Sequence, residues 1–205
     1  MDYSIVFVQL AILLSSVIIH EISHGYVAEM LGDPTARREG RLTLNPISHI
    51  DPIGSVVLPL FLYISGAPIF GWAKPVPYNP YNLKNPKLGA GLIGLAGPLS
   101  NLIFAGLFSF TIRGLDYAGM LNPTTLLLIN SIVTINVILA IFNLVPIPPL
   151  DGSKVLFALL PYKFIEVQMF LEQYSLLLFF SFIFFGLPLI RPIIDILLSF
   201  FLFHG

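Results

Sequence analysis

Apolar positions gather into long runs separated by short polar breaks. The first run covers residues 4–31. From Ile5 to Ile19 its only polar side chains are Gln9, Ser15 and Ser16. This predicts a helix roughly 42 Å long at 1.5 Å per residue, ended by Gly32-Asp33-Pro34, as a glycine followed by proline ends helices. Over residues 35–52 the pattern changes. Arg41-Leu42-Thr43-Leu44 alternates polar and apolar, and Asn45-Pro46 and Asp51-Pro52 are turn signals. A small membrane-associated β-hairpin is expected there. Residues 53–65 are apolar but short, with Pro59 in the middle. That length fits a re-entrant or half-buried segment better than a span. Pro75 and Pro77 favour an extended chain over residues 72–77, which reads equally well as an edge that guides a substrate and as a loop on the membrane surface.

Residues 88–112 and 124–144 are two further spans. The first carries Gly89, Gly91, Gly94, Gly97 and Gly106, which let neighbouring backbones approach closely, and Pro98 and Asn101 sit within it. The second holds Asn130, Thr134, Asn136 and Asn143 and breaks at Val145-Pro146-Ile147-Pro148-Pro149-Leu150-Asp151-Gly152. A short helix follows, and residues 161–173 read as a more polar, interfacial helix. Residues 174–204 are apolar and aromatic but interrupted at Gly186, Pro188 and Arg191-Pro192. They form one kinked span or a hairpin of two short halves.

Composition makes this a membrane protein. Of 205 residues, 56% are hydrophobic and 10% charged, against about 25% charged in soluble domains. The fold class that follows is an all-α polytopic membrane protein. It has a three-helix core, one or two C-terminal transmembrane helices and the small hairpin. One domain over residues 1–205 is expected, its core at about 4–160 and a C-terminal helical segment at 161–205, with no appended soluble domain. Met1-Asp2-Tyr3 lacks a basic flank and no cleavage site follows, so the first run reads as a retained helix and not a signal peptide. Neither a basic stripe nor a glycine-rich phosphate loop is present, which argues against nucleic acid as a partner. Without cysteine, a bound metal must use histidine and carboxylates.

The first helix supplies those ligands. His20-Glu21-Ile22-Ser23-His24 is an H-E-x-x-H motif. Positions i and i+4 share a helix face, so both imidazoles can meet one ion. A metal held there activates water, and the adjacent Glu21 takes the proton. Ionisable residues in an apolar span are costly unless partnered, so these three are a functional site by default. Asp151, at an irregular turn tolerated only inside protein or a wet cavity, can complete a His₂-Asp set of the kind zinc favours, and it can also cap the helix that follows. His49 and Asp51 offer themselves as extra ligands, but turn chemistry already explains both, and Asn101 is a buried amide that can support the site through a hydrogen bond. His204 is expected to be inert.

A shared metal also constrains topology. His20, His24 and Asp151 must lie on one side of the bilayer, so one of the three apolar segments between them must not cross, and 53–65 is the candidate. That side then carries Arg37, Arg38, Arg41, Lys74, Lys84, Lys87, Lys154 and Lys163, and the other carries Arg113. The bias of basic residues makes the first side cytoplasmic.

Three motifs carry a family resemblance: His20-Glu21-Ile22-Ser23-His24, Ala96-Gly97-Pro98-Leu99-Ser100-Asn101, and Asn143-Leu144-Val145-Pro146-Ile147-Pro148-Pro149-Leu150-Asp151-Gly152. In this order the chain resembles the site-2 protease family of intramembrane zinc metalloproteases, peptidase family M50, in its short form. The resemblance implies one Zn²⁺ per chain on His20, His24 and Asp151, with Glu21 as general base. It implies that Asn143 helps hold the substrate strand or the transition state. It further implies cleavage of transmembrane segments of other membrane proteins near the cytoplasmic face, in a prokaryotic cell membrane. No PDZ or CBS module accompanies the core, and residues 53–87 lengthen the gap between motifs relative to compact members. Two other classes use the same residues. A metal-dependent transporter needs a continuous polar path, which the few intramembrane charges do not supply. An inactive metal-binding scaffold has no need of Glu21.

Overall fold

The structure is a computed structural model that describes residues 3–66 and 71–202; His204 lies outside them. Helix α1 runs over Tyr3–Met30. Gly32 stops it at φ 106°, a conformation open to glycine, and Asp33 N–H closes back onto the Ala28 carbonyl at 2.9 Å. The short α2 covers Thr35–Arg38. After a 3₁₀ turn at Pro46–His49 and a π turn at Pro52–Val57, α3 spans Leu58–Ile64. Helix α4 covers Pro86–Tyr117 and α5 covers Pro123–Asn143. Both start alike. Asn85 and Asn122 accept from the N–H groups of Leu88 and Thr125 at 3.1 and 2.9 Å, and a proline fills the first helical position, where its missing N–H costs nothing. Then come α6 (Asp151–Leu159), α7 (Ile165–Gln173), α8 (Ser175–Ser181), a π turn at Phe182–Gly186 and α9 (Leu187–Leu202).

Among the described residues, four helical stretches are long and apolar enough to cross a membrane: Ile5–Met30, Pro86–Tyr117, Pro123–Asn143 and Ser175–Leu202. The last is continuous, so the C-terminal segment contributes one span among the described residues. The outer face of α1 leaves Ile5, Phe7, Leu10, Leu13 and Leu14 exposed, as a lipid-facing surface requires. Inside, Ala105 of α4 and Ile129, Val133 and Val137 of α5 form a buried core, joined by Ile194, Leu197 and Phe201 of α9.

The expected β-hairpin is corrected: among the described residues, 35–52 form helical turns and irregular backbone, with no strand. Four alternating residues offer no ladder partner, and side-chain caps compete for the backbone. Asn45 accepts from Ile47 N–H, and Asp51 from the N–H groups of Ile53 and Gly54. A few further groups reach across to the 71–79 segment, which forms neither helix nor strand. Lys74 N–H bonds the His49 carbonyl at 2.9 Å and Trp72 N–H the Gly54 carbonyl at 3.2 Å. Arg41 donates to the Lys74 carbonyl at 2.7 Å.

Contacts between helices settle the relative direction of α1 and α4. His24 meets Ile93, and His20 meets Asn101, so numbers rise along α1 as they fall along α4. The two are antiparallel, and residues 31–85 leave and return at the same end of the bundle. The short segment at 53–65 therefore does not reverse the chain.

Candidate metal centre

Each part of the site has a local cause. The helical repeat stacks His20 and His24 on the inner face of α1, 5% and 6% exposed. Their rings stand edge to face, with centroids 4.7 Å apart. Val145 to Leu150, rich in proline, turns the chain after α5 and delivers Asp151 as the first residue of α6. Asp151 Oδ2 lies 3.0 Å from His20 Nε2 and 3.1 Å from His24 Nε2. Lys154 Nζ donates to the other oxygen, Oδ1, at 2.9 Å, leaving Oδ2 to the imidazoles. Burial disfavours the Lys154 ammonium, but the Asp151 carboxylate beside it wins and holds the lysine above its ordinary range.

Helix α4 can come this close only because it presents glycine. A Cβ on Gly97 would sit 2.5 Å from both imidazole Nε2 atoms, and one on Gly94 would sit 3.0 Å from the Asp151 carbonyl oxygen. On their far sides the imidazoles meet acceptors. His24 Nδ1 faces the Ile93 carbonyl at 2.6 Å and His20 Nδ1 faces Asn101 Oδ1 at 2.6 Å.

That pattern tests whether a metal fits. A backbone carbonyl only accepts, so His24 Nδ1 carries a proton, and in the neutral ring the Nε2 lone pair then points at the Asp151 carboxylate. A second imidazole nitrogen closes on the same oxygen. Acceptors converge with nothing of their own to place between them, and a cation answers that arrangement. Two imidazoles and a carboxylate suit zinc, whose tetrahedral ligand atoms stand about 3.3 Å apart. His20, Glu21 and His24 can together offer ligand atoms within 4.8 Å of one another. Glu21, half-buried, accepts from Val76 N–H through Oε2 at 2.9 Å.

The other candidates fall elsewhere. His49 is buried and donates from Nε2 to the Thr43 carbonyl at 2.8 Å, holding the loop. Asp51 is a cap. Asn143 donates to the Leu139 carbonyl one turn back, at 2.9 Å. Sequence reasoning passed over Lys154, Asn136, Ser16 and Asp33. Only Asp33 carried a usable signal, since Asp followed two residues later by Thr favours a local side-chain turn.

A model of peptidase family M50 matches residues 118–185, which include Asn143 and Asp151. YwhC of Bacillus subtilis, named provisionally as a zinc metalloprotease, is 39% identical over 154 residues, covering 73% of this chain and 67% of its own. Rip2 of Mycolicibacterium smegmatis, named in the same way, is 29% identical over 151 residues, covering 68% and 52%. Zinc metalloprotease MJ0392 of Methanocaldococcus jannaschii is 30% identical over 165 residues, covering 80% and 38%. The chain thus spans two thirds of the first relative and about half or less of the other two. No solved structure matches it significantly. These likenesses and four membrane-length helices describe an integral-membrane metalloprotease with zinc as its metal, and the chain belongs to peptidase family M50.

Proposed function

We propose that this protein hydrolyses peptide bonds within or next to transmembrane segments of other membrane proteins. His20, His24 and Asp151 hold the zinc, one ion per chain, and Glu21 is the general base. One observation carries the reading: Asp151 Oδ2 reaches His20 Nε2 at 3.0 Å across 131 positions of sequence, within a bundle of membrane-length helices. Glu21 follows His20 directly.

When bound, zinc supplies a Lewis acid that polarises the scissile carbonyl and acidifies water. Glu21 accepts a proton from the attacking water and returns it to the leaving amine. Its Oε2 is anchored by Val76 N–H, which aims the carboxylate and leaves Oε1 for the proton. The same bond brings the extended 71–79 segment to the site. Arg41 steadies that segment through the carbonyls of Lys74 and Pro75. A transmembrane substrate hides its backbone in its own hydrogen bonds and must unwind to be cut. An extended edge beside Glu21 offers such a chain somewhere to pair. Asn143, at the last turn of α5, is assigned to hold the substrate strand or the transition state. The basic residues clustered at the site end of the bundle make that end cytoplasmic, in a prokaryotic cell membrane. Residues 1–205 act as one domain.

The test is cleavage of a single-span protein substrate co-reconstituted in liposomes, with metal content measured alongside. Cleavage by the zinc-loaded chain, absent in Glu21→Gln at equal zinc content, is the expected result. Equal cleavage by that variant would end the proposal.

A further inference from the structure

A second polar layer lies beneath the histidines, and nothing in the proposed reaction uses it. Ser16, Asn101 and Asn136 come from three different spans and are 4%, 0% and 1% exposed. Buried amides are costly unless satisfied, and here every contact has a direction. Asn136 Nδ2 donates to the Ile132 carbonyl at 2.8 Å. That oxygen can only accept, so it decides which end of the Asn136 amide is the NH₂. Asn136 Oδ1 is therefore the atom that faces Asn101, accepting from Asn101 Nδ2 at 2.8 Å. Asn101 in turn must present Oδ1 to His20 Nδ1, at 2.6 Å. An amide oxygen only accepts, so His20 Nδ1 carries a proton, and in the neutral ring that a metal binds the lone pair is on Nε2, which faces Asp151. Ser16 braces both amides: its carbonyl accepts from Asn101 Nδ2 at 3.4 Å, and its hydroxyl from Asn136 Nδ2 at 3.0 Å.

We infer that Ser16, Asn101 and Asn136 are positioning residues, forming an amide relay that starts at the Ile132 carbonyl and sets the tautomer and ring plane of His20 so that Nε2 is the atom offered to the metal. The inference rests on the reading of His20 as a ligand. The two histidines differ in this respect. His24 is oriented by a main-chain carbonyl that no side-chain substitution removes, whereas His20 depends on three replaceable side chains. Glue between helices would need only the Asn101–Asn136 bond. It would not need the chain to end on an imidazole.

Outer partners of ligating histidines govern metal affinity by roughly 10–100-fold. The full chain, purified in detergent, is titrated with zinc against a competing chelator, and the cobalt(II)-loaded form is read by its visible absorption. Asn101→Leu removes the acceptor and is expected to weaken zinc binding about 10–100-fold and shift the cobalt band. Asn101→Asp keeps an oxygen toward His20 but sets a second acceptor against Asn136 Oδ1 and the Ser16 carbonyl, and is expected to regain only part of the affinity lost in Asn101→Leu. If Asn101→Leu does not fold, Asn136→Leu serves, because it leaves every direct contact of His20 in place; about threefold weaker binding or more is expected. Folded variants that bind zinc like the parent with an unchanged cobalt spectrum would overturn the relay. A parent that binds no zinc, or a His20→Ala variant that keeps it, would instead overturn the ligand reading, and the parallel measurement tells the two failures apart.

Discussion

Glu21, beside His20 in α1, and Gly97, against both imidazoles from α4, each make a prediction at the scale of a single residue. A glutamine at position 21 still accepts from Val76 N–H but cannot take a proton. Glu21→Gln is expected to keep its zinc while cleavage falls about 10²–10⁴-fold, as read by metal analysis beside a cleavage assay. Gly97 is a matter of space. A Cβ there would stand 2.5 Å from both Nε2 atoms, whereas on Gly106 it would find nothing nearer than Phe201 Cε1 at 3.6 Å. Gly97→Ala should lose zinc and Gly106→Ala should retain it. Equal metal content in the two would show that α4 does not press on the histidines.

Elements are joined here by satisfied polar ends. Asp33, fully buried at the end of α1, accepts from Thr35 Oγ1 at 2.5 Å, Asn79 N–H at 2.6 Å and Asn82 Nδ2 at 2.7 Å. It ties the end of α1 to the turn that leads into α4, and so helps hold the extended 71–79 segment in place. Burial pushes its carboxyl up, but these donors outweigh burial and hold it below the usual carboxylate range. A group depressed on folding adds stability above its unfolded value, near ~3.9, and that stability drains as pH falls through the lower folded value. The parent should therefore lose more stability than Asp33→Asn when pH drops below about 4, as followed by thermal unfolding in detergent. At neutral pH, Asp33→Ala removes the shared acceptor of three partly exposed donors and should cost about 2 kcal/mol. A change under about 0.5 kcal/mol, ordinary for a surface site, would remove Asp33 from this role.

At the scale of the whole molecule the antiparallel α1 and α4 place the end of α1, the start of α4 and the end of α5 on one side. The chain has no cysteine, so single cysteines can map this directly. Glu39→Cys and Tyr162→Cys are expected to react with an impermeant thiol reagent from the same face of sealed vesicles, and Met120→Cys from the opposite face. Glu39→Cys and Met120→Cys reacting from one face would require 53–65 to cross. Lipid-facing leucine, isoleucine and phenylalanine cover the outside of this bundle. Ser16, His20, His24, Asn101 and Asn136 turn inward, which is where an apolar solvent drives polar side chains.

Some of this was legible in the residues alone. Span lengths follow from local hydropathy, the caps at Asn85-Pro86 and Asn122-Pro123 from local backbone chemistry, and the pairing of His20 with His24 from the helical repeat. Each depends on neighbours within a turn or two. The alternation at residues 41–44 misled because a strand needs a partner, and a partner is not a local property. That Asp151 would reach a histidine 131 positions away was expected from the motif, but the approach itself depends on Gly94 and Gly97 admitting α6 and α1 to the face of α4. Asn136 read as an ordinary polar residue in a span. Only the rotation and register of three packed helices, decided by side-chain fit along their whole length, turned it toward Asn101 and so toward His20.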